Sequence, residues 1–71
     1  MLSYILGLMF RYERIHGFLP NLVYINRRHV QSLYIETGAL NQVDLSGRLG
    51  LKVVIYPGID HPQVYHIFRT F

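Results

Sequence analysis

The chain has 71 residues, 51% hydrophobic and 15% charged, with a formal charge of +3, a pI near 9.6 and no cysteine. That length holds one small core and a single domain, residues 1–71, and cores below roughly 70–80 residues contribute only a few kcal/mol without staples or a partner subunit. The lack of cysteine excludes disulfides and thiolate metal sites. Self-association is then the remaining source of added stability, and seven scattered Lys and Arg allow an anionic partner but form no basic run and read first as a soluble surface with a modest excess of Arg.

From Ser3, read as an N-cap, to His16, the apolar residues Ile5, Leu8, Met9, Tyr12 and Ile15 recur at helical spacing, and Gly17 stops the helix. Leu2, Leu6 and Phe10 widen the apolar arc to well over half of the wheel, leaving Ser3, Gly7, Arg11 and Arg14 as the polar strip. A helix apolar around most of its circumference is normally buried, so Leu2, Leu6 and Phe10 are expected to form the contact of a homodimer. The alternative is a helix sunk deep in its own fold. Met1 to Phe10 carries no basic n-region and no small-residue cleavage site, and is about half the roughly 20 residues of a membrane span. A cytoplasmic protein without a membrane segment is expected.

Pro20 holds the chain extended before Leu22 to Ile25, a short strand rich in β-branched and aromatic residues. Asn26 caps a second helix whose Val30, Leu33, Tyr34 and Thr37 share one face and which Gly38 ends. Ala39 to Gly50, with Asn41, Asp44, Ser46 and two glycines, reads as a loop or short irregular strand. Leu51 to Tyr56 is a strand, Pro57 to Pro62 a turn, and Gln63 to Phe71 an alternating strand, which together make a C-terminal hairpin. The expected fold is α+β in the order α-β-α-β-β. Two helices cover one face of a small, mainly antiparallel three-stranded sheet, with Val23, Ile25, Val53 and Ile55 in the core.

Gly17, Pro20, Val23 and Ile25, followed by Gly50, Leu51, Val53, Ile55 and Pro57, give a pattern that resembles a diffuse group of small uncharacterised bacterial and phage-associated proteins. The match covers about three quarters of the chain, and the group brings no assigned chemistry with it. Arg11-Tyr12 and the run Gly17-Phe18-Leu19-Pro20-Asn21-Leu22-Val23-Tyr24-Ile25-Asn26 resemble pseudomurein-binding repeats over about twenty residues. Those repeats occur in tandem in exported archaeal proteins, whereas a single copy without an export signal is read here.

Polar chemistry concentrates at Asn26, Arg27, Arg28 and His29, the first turn of the second helix. Free amides there and the Arg forks could converge on a phosphate or carboxylate, although the plainer reading is that both arginines are solvated and merely disfavoured by the dipole. No Gly-rich phosphate loop accompanies them. Tyr24, Tyr56, Tyr65 and Phe68, flanked by Lys52 and Arg69, could form a stacking surface for RNA or single-stranded DNA, but they do not match the RNP pattern, and aromatic residues on the strands of a small domain are more often core. His16, His29, His61 and His66 lack metal-ligand spacing, since positions 61 and 66 fall on opposite faces of a strand. The acids Glu13, Glu36, Asp44 and Asp60 are dispersed, and Ser32 and Ser46 lie in no nucleophile motif. The reading is therefore a non-catalytic interaction module that self-associates and has an unknown protein partner, without cofactor, metal or catalytic residues. The alternative is anion or nucleic-acid binding at the basic helix start.

Overall fold

Val23 and Ile25 expose no surface, and the strand that carries them, β1 (Leu22–Ile25), is the centre of the fold. The computed structural model describes residues 1–68, in which β1 is preceded by α1 (Leu2–His16) and followed by α2 (Arg27–Thr37), α3 (Gln42–Leu49), β2 (Lys52–Ile55) and β3 (Gln63–Tyr65). This is the α+β class that the sequence predicts. Alternation sends Val23, Ile25, Val53, Ile55 and Val64 to one face of the sheet, where Val23 lies beside Val53 and Val64, and Ile25 beside Ile55. Against that face pack Ile5 of α1, Val30 and Leu33 of α2, and Leu45 and Leu49 of α3. Each such buried side chain is worth about 1.5–3 kcal/mol relative to exposure.

Two expectations about the arrangement of elements are corrected first. Residues 42–49 are a helix, not a loop, so three helices rather than two pack on the sheet. The Asn41 side chain accepts the Asp44 amide at 2.9 Å, and the Asp44 carboxylate accepts the Leu40 amide at 2.9 Å. That second bond, followed by the ion pair with Arg48 at 3.2 Å, holds the Asp44 carboxyl below its usual range. Gly50, in the left-handed region at φ 70°, ends the helix and leads directly into β2. Residues that punctuate loops are here the caps of a two-turn helix.

The second correction concerns the hairpin. The sheet order is β2-β1-β3, with β2 parallel and β3 antiparallel to β1, so the last two strands flank the central one and do not pair with each other. Helix α3 occupies the outer side of β2: Ser46 Oγ accepts the Val53 amide at 3.1 Å, and Gln42 Nε2 donates to the Val53 carbonyl at 2.8 Å. Residues 56–62 instead carry the chain past the end of β1, where Asn26 Nδ2 holds the Ile59 carbonyl at 3.0 Å.

Helix α1 begins at Leu2, so Ser3 is not its cap. Glu36 takes that role, accepting the Leu2 amide at 3.0 Å and the terminal ammonium of Met1 at 3.1 Å, and both lower its carboxyl below the usual range, the ammonium more strongly. Ile15 is exposed despite its helical spacing. A 15-residue helix is about 22 Å long, whereas strands of three or four residues reach about 13 Å, so α1 is longer than the strands it packs on. Strand β3 is shorter than expected, and Arg69 and Phe71 lie outside the described residues. No described helix is long and apolar enough to cross a membrane.

Candidate binding surface

The alternation that turns Val23, Val53 and Val64 inward turns Leu22 and Tyr24, Lys52 and Val54, and Gln63 and Tyr65 to the opposite face, and Tyr56 continues that side beyond β2. There, strand and loop residues alone, chiefly Leu22, Tyr24, Tyr56, Ile59, Tyr65 and Ile67, line a cavity of about 660 Å³. Its size falls in the range of small-ligand pockets. The Tyr24 ring lies 6.1 Å from Tyr56 and 5.7 Å from Tyr65, edge-on to both. Tyr56 and Tyr65 remain 54% and 43% exposed. Ile67 is drawn over Leu22 by the Asn21 side-chain amide, which donates to the Ile67 carbonyl and accepts its N–H, both at 2.9 Å.

Cations stand at both ends of this trough. Lys52, beside Leu22 at the start of β1, borders a small cavity with Asn21, Leu22 and Ile67. Past the other end of β1, Ile59 separates the tyrosines from a second cavity of about 530 Å³ lined by Asn26, Arg27, Arg28, His29, Pro57 and Asp60. Arg27 and Arg28 are exposed, and neither they nor Lys52 join an ion pair among the described residues. Asp60 is the acid nearest the arginines in that cavity.

The four residues predicted at the start of the second helix thus adjoin one cavity, but they divide by role. Asn26 and His29 form a capping box: Asn26 Oδ1 accepts the His29 amide and His29 Nδ1 accepts the Asn26 amide, each at 3.0 Å. With Nδ2 held by Ile59, both the oxygen and the nitrogen of the Asn26 side chain bond within the chain. His29 is only 8% exposed, and burial lowers its pKa below the ordinary histidine value; the Asp60 backbone carbonyl opposes that shift, and the charge of His61 adds to it. Arg27 and Arg28 border the same cavity with exposed side chains.

Leu6 and Phe10, one helical turn apart on α1, are 39% and 60% exposed. Leu2, predicted to join them, is partly buried against the core. Phe68 does not join the tyrosines. It packs with Phe18 and His66, ring centroids 5.7 and 4.6 Å away, in a separate aromatic cluster that reaches Tyr12 and His16. His66 donates from Nδ1 to the Leu19 carbonyl at 3.0 Å, because a carbonyl can only accept. No three His, Asp or Glu residues among those described lie together in a way that would hold a metal ion.

Leu22, Ile59, Gln63, His66 and Ile67 line the trough without having been assigned to it from the sequence. Leu22 was within reach, since it shares the period of Tyr24, whereas Ile59 and Ile67 arrive through loops held by asparagine side chains. Comparison with protein-family models, curated proteins and solved structures finds no match.

Proposed function

We propose that this protein is a non-catalytic binding module whose working surface is the open, tyrosine-lined face of its sheet. The observation that carries this reading is the convergence of Tyr24, Tyr56 and Tyr65 on one concavity while the other face of the sheet is packed by helices. Apolar rings set in a recess, with few polar groups around them, suit recognition better than bond-making. The acids support a non-catalytic role as well: Glu36 and Asp44 are engaged at helix starts, and Glu13 lies on α1 apart from Asp60. Amide chemical-shift mapping tests the proposal, with a ten-nucleotide single strand, an acidic peptide and an oligosaccharide added in turn. Shifts centred on residues 22–24, 54–56 and 63–67 with at least one probe support it, and shifts confined to the helices refute it.

A second reading, self-association through α1, draws on the exposed pair Leu6 and Phe10. A chain this small gains stability from a partner surface. Sedimentation at high micromolar concentration is then expected to show a dimer that Leu6→Asp converts to monomer. A wild-type monomer under those conditions sinks this reading.

A further inference from the structure

Resting on the open-face reading, we infer that the occupant of the trough is a single-stranded nucleic acid, its bases against Tyr24, Tyr56 and Tyr65 and its phosphates held by Lys52 at one end and by Arg27 and Arg28 at the other. Charge complementarity points to a polyanion, and the three tyrosine rings favour one that carries aromatic bases between its charges. Lys52 stands on the face itself, the two arginines stand past the far end of β1, and none of the three is neutralised by an ion pair among the described residues. No carboxylate lines the tyrosine cavity; Asp60 lies beyond Ile59, beside the arginines. The polar groups of the trough are the tyrosine hydroxyls, His66 and Gln63, whose Oε1 accepts from the Tyr65 hydroxyl at 2.7 Å, and none of them carries a carboxylate that would repel a phosphate. Aromatic rings between cations are the common means of holding single strands without base-specific hydrogen bonds. Three strands spaced at about 4.8 Å leave room for about two or three bases. Bases in a duplex hide the faces that such rings would stack against, so the preference is for a single strand.

The test is fluorescence anisotropy of a labelled ten-nucleotide single strand against the full chain from 50 to 200 mM salt. Three phosphate contacts give a slope of log K against log[salt] near −2, about a twentyfold loss over that range. Tyr56→Leu with Tyr65→Leu keeps the apolar surface but removes two rings, and is expected to weaken binding at least tenfold with the slope unchanged. Tyr56→Leu alone, at the more exposed ring, repeats the measurement if the double variant does not fold. Lys52→Gln is expected to flatten the slope by about 0.7. Absence of binding at 100 μM protein in 50 mM salt, equal binding of the matching duplex, or unaltered binding by the Tyr variants each overturns the inference. If the peptide or the saccharide shifts the open face while the single strand leaves it unmoved, the inference falls and the binding-module reading stands. Silence from all three probes overturns both.

Discussion

Acid is expected to loosen the start of α2 through one side chain, His29. Its Nδ1 accepts the Asn26 amide at 3.0 Å, which requires the neutral ring, and at 8% exposure the imidazolium would lose most of its hydration. Its pKa is therefore lower in the folded chain than in the unfolded one. The sign follows: between the two pKa values the unfolded state binds more protons, so the contribution is whole above the unfolded value of about 6.5 and is lost as pH falls through the folded value. One proton gives a slope of at most about 1.4 kcal/mol per pH unit, so between pH 6.5 and 5.0 the loss cannot exceed about 2 kcal/mol. In a domain of this size each kcal/mol moves Tm by about 4–8 °C. His29→Gln keeps an acceptor at the same capping-box position and cannot titrate. Urea denaturation followed by circular dichroism at pH 7.5 and 5.0 is expected to show wild type losing more stability than the variant. The carboxylates Glu36 and Asp44, both lowered, titrate below that window, and His16, His61 and His66 are common to both proteins. Equal losses in the two proteins refute the reasoning.

Leu45→Ala, at a fully buried position of α3, is expected to cost about 2–5 kcal/mol in guanidinium denaturation, against less than about 0.5 kcal/mol for exposed Val43→Ala two residues away. Equal costs would refute the register of that helix. Gln42→Ala with Ser46→Ala strips both partners from the Val53 backbone, and is expected to cost about 1 kcal/mol per lost bond and to add larger species in sedimentation as the edge of β2 opens. An unchanged sedimentation profile would show that α3 does not guard that edge.

The elements with strong periodicity were legible in the sequence. Leu22 to Ile25 is strand β1 as expected, α2 runs from its Asn26 cap to Gly38, and Val23, Ile25 and Val53 lie in the core while Ile55 packs at its edge. What escaped was α3, because its inward side is two residues, Leu45 and Leu49, too few for periodicity to stand out from a segment rich in Asn, Asp, Ser and Gly. The better signal was at the ends, where Asn41 caps the Asp44 amide, Asp44 holds the Leu40 amide in turn, and Gly50 closes the helix. The hairpin failed for a different reason. Residues 56–62 are long enough to pass either side of β1, and the choice depends on Gln42 and Ser46 occupying the outer side of β2 and on Asn26 holding Ile59. Those contacts span 7 to 33 residues, beyond what local pattern can report.

The candidate site shows the same division at the level of single side chains. Short polar groups at a helix start, such as Asn26, have their partners one turn away, and His29 at the third helical position can reach back to the cap, so the fold itself uses their hydrogen-bonding capacity. Long cationic arms at the same turn reach no backbone group there that could accept from them, since a helix N-terminus presents donors. Arg27 and Arg28 therefore gain nothing from the helix they begin and are slightly disfavoured by its dipole. Because the fold uses Asn26 and His29, while Arg27 and Arg28 are exposed at a cavity that Ile59 separates from the tyrosines, Arg27→Ala with Arg28→Ala is expected to weaken binding of the proposed ligand while leaving the fold intact.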